Sequence, residues 1–360
     1  MIKNRLNKVI IEMKKRKLSQ IIISSPSSIF YLTGNWFISG ERMLVLLIKT
    51  NGEHRLFINK VFKINKDLKL NLDIEYYDDY DDPIEILAKF INKKEKLGVD
   101  KRWPSKFLLS LMEIKGAFAY ETSFIIEYLR MVKDKEEIEL MKESSRRNDK
   151  TMKEFLENIR EGMTEIDCVK LLKKLYSRNG IDRLSFSPIV AFSNNSSELR
   201  HIPNNSILKK GDNILIDIGG VYKSYCSDMT RTVFFKKEPY KKYKKIYNVL
   251  KSVNEKAISM IKPGIRFCDI DNFIIKYIND KGYGDYIANK SGHCIGISCH
   301  DFGDVSKLNT LKLKAGMIFS IEPGIYLEND IGIRIEDLVL VTGNGSERLN
   351  KLSKELTVIK

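Results

Sequence analysis

Four acids sit inside runs that otherwise read as buried strands, and no other feature restricts the chain so tightly. Asp217 interrupts ILIDIGG, Asp228 follows in SYCSDMTRT, Glu322 ends MIFSIE, and Glu336 interrupts GIRIEDLVLV. A carboxylate on a core face is costly unless it is paired, protonated or bound to a cation. Asp228 lies 11 residues beyond Asp217, with Gly219-Gly220 between them to turn the chain, so a hairpin return brings the two side by side. Any one of these acids fits a strand end facing water. All four together, with too few basic partners nearby, point to a metal site.

The histidines agree with this. Of the four in the chain, three fall in Gly/Pro-punctuated polar segments of the second half: His201 in SNNSSELRHIPNN, and His293 and His300 in SGHCIGISCHDFG. His54 stands beside a turn near the N-terminus and reads as a surface residue. Four carboxylates and one imidazole make a hard, oxygen-rich donor set, enough for two divalent ions. Mn²⁺, Co²⁺ or Fe²⁺ suit it, with Zn²⁺ admissible, and no thiolate cluster favours structural zinc. The five cysteines are odd in number and form no CxxC pair, which fits reduced cytosolic thiols.

Composition removes other readings. The net charge of +15 suggests nucleic acid, but residues 1–130 carry +7 and the remainder +8, so the excess is spread out. No nucleic-acid module signature accompanies it. No apolar run approaches the ~18 residues of a spanning helix, and the basic N-terminus lacks an apolar signal core. The expectation is a cytoplasmic protein with neither nucleic-acid nor membrane partners.

The chain's texture changes near residue 130. Before it, short apolar runs at Ile21–Ser24, Leu44–Ile48, Arg55–Asn59 and Leu97–Val99 alternate with helical stretches at 3–17, 84–96 and 105–115. This predicts an α/β domain over 1–125, with Asp78–Asp82 as a solvated loop and a linker over 126–136. From 137 to 360 a pattern repeats. A long helix ends at Gly162 and a second runs from the cap Thr164 to Gly180; another pair ends at Gly264 and Gly282. At a constant offset of 102, Asp167 also matches Asp269 and Leu172 matches Ile274. A β-rich stretch follows each pair, predicting two related α–α–β halves about a pseudo-twofold, with room for a central site.

Taken in order, ILIDIGGVYKSYCSDMTRT, GHCIGISCHDFG, SIEPGIY and GIRIEDLVLV resemble the pita-bread metallopeptidases, which include Xaa-Pro dipeptidases (prolidases), aminopeptidase P and methionine aminopeptidase. SSIFYLTG and EYLRMVKDKEEIELMKESS look like the N-terminal creatinase-like domain and linker of the proline-specific members. The resemblance implies an α/β (α+β) fold with a creatinase-like domain followed by a pita-bread catalytic domain. It implies a dinuclear centre in which Asp217 chelates one ion, Asp228 and Glu336 bridge both, and His293 and Glu322 complete the second. Glu322 is also implied as general base, and His201 and His300 as groups that hold substrate and stabilise the oxyanion. Arg334 shares a strand face with Glu336 and is expected to support the site or bind the substrate carboxylate. The implied reaction is hydrolysis of an Xaa-Pro bond in small peptides with proline second, with Mn²⁺ as the leading metal and a homodimer as the assembly. Aminopeptidase P activity on longer peptides and a non-catalytic binding protein are the alternatives. Two positions depart from the pattern: His300 is followed by Asp301-Phe302-Gly303, and Arg200 stands where Pro often precedes the histidine.

Overall fold

The computed structural model describes residues 2–62, 64, 72–116, 120–288 and 290–360, and the chain divides into two compact units, 1–130 and 131–360. The division falls inside the segment expected as a linker.

The first unit is built on a six-stranded mixed sheet. Its strands run in the order Asp73–Tyr77, His54–Asn59, Val45–Lys49, Gln20–Ile23, Leu97–Asp100 and Tyr120–Ser123. Apolar residues from the central strands, such as Ile22, Val45, Leu47, Phe57 and Val99, pack with Leu87 and Leu111 from helices into one core. Two expectations need correction. The helix expected over 84–96 is only Pro83–Ala88, capped by the Asp82 side chain, because Asn92 instead binds the Gln20 side chain. His54 lies on a strand and is half-buried rather than a surface residue, and burial lowers its pKa.

The second unit contains the repeat. Its four long helices are Lys135–Asn158, Glu165–Arg178, Lys241–Met260 and Phe267–Asp280. Each pair is joined by the same clasp. Gly162 and Gly264 turn the chain at φ of 87° and 93°, a conformation open to glycine without steric cost. The Gly162 amide donates to the Leu208 carbonyl, and the Gly264 amide to that of Leu313. A capping box of Thr164 and Asp167 starts the second helix of the first pair, and in the other pair Asp269 likewise accepts from the N-cap amide, that of Arg266. Even the pins to the sheets recur: Asn148 Nδ2 donates to Ile218 O at 3.1 Å, and Asn254 Nδ2 to Ile321 O at 3.0 Å. An offset visible as matching glycines is thus a matching set of bonds.

The strands behind these helices carry the acids. Asn213–Ile218 pairs antiparallel with Met229–Phe235, with Asp217 opposite Thr230, so Asp228 returns beside Asp217. In the other half, Ile318–Ile321 pairs with Asp337–Val341, which places Glu322 and Glu336 at adjoining strand ends. The fold is mixed α/β. Among the described residues no helix is long and apolar enough to cross a membrane.

Candidate metal centre

All eight residues singled out as site residues line a single cavity of about 320 Å³: His201, Asp217, Asp228, His293, His300, Glu322, Arg334 and Glu336. Phe186, Ile189, Leu199 and Ile202 supply apolar wall, and Ser187, Arg200 and Cys299 complete the polar part.

Two of the acids, Asp217 and Asp228, each keep one buried oxygen without a hydrogen-bond partner. Asp217 Oδ2 accepts from Arg334 Nη2 at 2.6 Å, while Asp217 Oδ1 is buried without a hydrogen-bond partner. Asp228 Oδ1 is likewise buried and unpartnered, and its Oδ2 lies 3.5 Å from His293 Nε2. Thr230 Oγ1 donates to Glu336 Oε2 at 2.6 Å, and the Arg334 Nε donates to that same hydroxyl at 3.1 Å. Ser320 Oγ donates to Glu322 Oε1 at 3.3 Å. His293 Nδ1 lies 3.3 Å from the Cys294 carbonyl, which turns Nε2 toward Asp228 and Glu322.

One ligand atom each from Asp228, His293 and Glu336 falls within 4.8 Å of the others. Unpartnered buried carboxylate oxygens cost free energy that a bound cation removes, and oxygen with imidazole is the donor set a divalent ion takes. The residues fit such an ion.

The charges record the same demand. Burial, with Asp228 and Glu322 nearby, pushes Asp217 up to about 7 despite the opposing pull of Arg334. Burial likewise raises Glu322, and raises Glu336 well above the carboxylate range with Asp228 adding to it. His293 shows the converse: burial pulls it down, but the bond to Asp228 and the charge of Glu322 outweigh this and lift it to about 9. A raised folded-state pKa, for acid or histidine, favours the native state at low pH and withdraws that stability as pH rises through the folded value. For Asp217 the loss runs from about 4 to about 7, and for His293 from about 6.5 to about 9. Metal-free protein is therefore expected to lose melting temperature steadily between pH 5 and 9. Saturating Mn²⁺ should remove most of that slope; equal slopes in chelator and in metal would show that the acids do not share a cation.

The two remaining histidines differ in kind. Burial and the neighbouring His293 lower His300, leaving it neutral near pH 7, with its ring edge-on to His293 at 4.2 Å between centroids. His201 is gripped at both nitrogens, by Glu165 at 2.7 Å and Glu198 at 3.0 Å. Burial works against its charged form, but these two carboxylates raise its pKa.

Glu165 was not among the expected site residues. In GMTEID it reads as a first-turn helix acid, yet it is fully buried and accepts from four donors. These are Phe192 N, Asn195 Nδ2, His201 Nε2 and Asn204 N, at 2.7 to 2.9 Å, so it anchors the loop that forms the cavity wall. Arg334 is also more committed than its strand face suggested. It is 2% exposed, and besides Asp217 and Thr230 it donates through Nη1 to the Tyr326 hydroxyl at 2.7 Å.

Residues 139–343 match the model of metallopeptidase family M24, and residues 5–132 match the creatinase/prolidase N-terminal domain. An uncharacterized peptidase of Staphylococcus aureus strain USA300 is 34% identical over 355 residues, covering 97% of this chain and 99% of the relative. Among solved structures, a recombinant prolidase from Thermococcus sibiricus superposes with a TM-score of 0.93 at 31% identity, covering 99% of each chain. An X-Pro aminopeptidase from Thermotoga maritima does so at 0.81 and 26%, covering 95% of this chain and 97% of the other. With its acids converging on one cavity and both family models matched in order, the chain belongs to metallopeptidase family M24.

Proposed function

We propose that this metallopeptidase is an Xaa-Pro dipeptidase using two divalent ions held by Asp217, Asp228, His293, Glu322 and Glu336. The size of the cavity carries the reading: about 320 Å³ is near the lower end of ligand pockets and suits a two-residue peptide. The Xaa-Pro bond is a tertiary amide with no N–H, so a protease that docks its substrate as a strand cannot grip it. A small pocket that reads the ring and the free amine avoids that need.

Bound metal would supply Lewis-acid polarisation of the scissile carbonyl and a water of lowered pKa. The chain's own residues do the rest. Glu322 accepts a proton from the attacking water and returns it to the leaving proline nitrogen. His300, neutral, offers an N–H where the carbonyl oxygen gains charge. His201, held by Glu165 and Glu198, presents its ring to the substrate as a fixed wall. Mn²⁺ is the metal proposed, in a cytoplasmic homodimer whose catalytic domain is 137–360, preceded by a linker over 126–136 and a domain over 1–125.

One observation favours the second reading, aminopeptidase P. A neighbouring cavity of about 490 Å³, bounded by Val169, Lys173, Pro188 and Pro203, shares Phe186 and Ser187 with the metal cavity and offers room for further residues. A panel of Xaa-Pro dipeptides, Xaa-Pro-Yaa tripeptides and Xaa-Ala controls, assayed with metal counted per chain, separates the two. Dipeptides are expected to be cleaved at least about tenfold faster in kcat/KM, since an unpaired or missing terminal charge costs that much. Equal cleavage of tripeptides would establish the aminopeptidase, and cleavage of Xaa-Ala would remove the proline requirement.

A further inference from the structure

The metal cavity is lined by four acids, so the anionic end of a dipeptide needs a cation there. Its cationic candidates are unequal. Arg334 is buried and donates to Asp217, Tyr326 and Thr230. His293 faces Asp228 and Glu322, and His201 lies between Glu165 and Glu198. His300 packs edge-on against His293, with 4.2 Å between the ring centroids. Arg200 alone lines the cavity as an exposed guanidinium with no hydrogen bond or ion pair to another described residue.

Its place is fixed by its neighbour. The His201 ring is clamped at both nitrogens, and the His201 amide donates to the Glu198 carbonyl at 3.2 Å, so the backbone on either side of Arg200 is held at the cavity wall. A guanidinium offers a planar fork that matches a carboxylate with two parallel hydrogen bonds. It lines the same cavity as His300, the residue that would face the scissile carbonyl.

We propose that Arg200 binds the C-terminal carboxylate of the substrate and so sets a preference for dipeptides, an inference that deepens the Xaa-Pro reading and rests on it. The specificity of the enzyme then depends on a position outside the metal ligands.

The test uses Mn²⁺-loaded protein and a reduced-amide Xaa-Pro dipeptide that cannot be hydrolysed, as free acid and as C-terminal amide. Binding is measured by calorimetry, beside kcat/KM for the cleavable pair. Wild type should favour the acid by about ten- to a hundredfold. Arg200→Met should bring the acid down to the amide and leave the amide unchanged, while Arg200→Lys keeps part of the ratio. The proposal is overturned if Arg200→Met preserves the acid-to-amide ratio or weakens both ligands equally. A wild type that cleaves and binds acid and amide alike also overturns it, with the peptidase reading intact. If wild type cleaves neither yet binds the acid through Arg200, the peptidase reading falls and the Arg200 assignment stands. Binding of neither ligand rejects both.

Discussion

Asp228→Asn should empty the centre of both ions and reduce turnover by about 10³-fold or more, because two-metal chemistry is lost together with its electrostatic stabilisation. Asp228 is 3% exposed, lies 3.5 Å from His293 Nε2, and keeps one oxygen without a partner. Asparagine retains the shape but removes the charge and turns one acceptor into a donor. Even loss of a residue that only orients a ligand costs roughly 10–100-fold in metal affinity, and a carboxylate shared by two ions should cost more at each. In the metal-free proteins two effects oppose each other. Asp228 adds to the repulsion that raises Asp217, Glu322 and Glu336, but it also holds His293. The variant's melting temperature in chelator should therefore change far less than its stability in metal. Metal analysis and paired melts measure both effects. Retention of one ion at full affinity would rule out a bridging role.

The second large effect concerns Arg334. Arg334→Met keeps the apolar stem and leaves the Asp217 carboxylate buried without its cation, a change that costs about 3–5 kcal/mol when one partner of a buried pair is removed. For a unit of this size that is a fall of roughly 6–20 °C in Tm of the metal-free protein. The deficit should shrink toward low pH. Asp217 already titrates near 7, and without Arg334 its pKa rises further, so protonation relieves the unpaired charge below that value. Metal should restore part of the loss by giving Asp217 another cation. A variant that melts within 1 °C of wild type, yet loses cleavage of free dipeptides and keeps that of amidated ones, would make Arg334 the carboxylate binder and leave its bond to Asp217 incidental.

What could be read from the sequence was whatever conflicts with its own surroundings. An acid within ILIDIGG or GIRIED contradicts the apolar run around it, and that contradiction survives without coordinates. Likewise, Gly162 and Gly264 mark the turn after a long helix, four residues past Asn158 and Met260, so the repeat was visible in advance. Residues consistent with a bland role stayed hidden. Glu165 is an acid where helices accept acids, and only its burial under four donors shows otherwise. Thr230 and Tyr326 are ordinary strand residues until cross-strand register places their hydroxyls on Arg334. The edge strand Asp73–Tyr77 went unread because it is five residues long, carries two acids and buries only Tyr77, so its alternation is too short to stand out. Arg334 was assigned the right face, but a face does not name a partner.

The duplicated clasp bears on how the protein reaches its native state. Of the five proposed ligands, Asp217 and Asp228 come from the first α–α–β half, and His293, Glu322 and Glu336 from the second. Neither half can chelate an ion alone with the full set. The trio whose ligand atoms converge within 4.8 Å, Asp228, His293 and Glu336, draws on both halves. A chain with only one half formed lacks it, and so metal does little to choose its route. The ion acts after the halves have met, and interactions absent from the transition state slow unfolding without hastening folding. Metal then behaves as a late lock, extending the lifetime of a finished molecule whose assembly rate is set by the helix clasps and strand pairings alone.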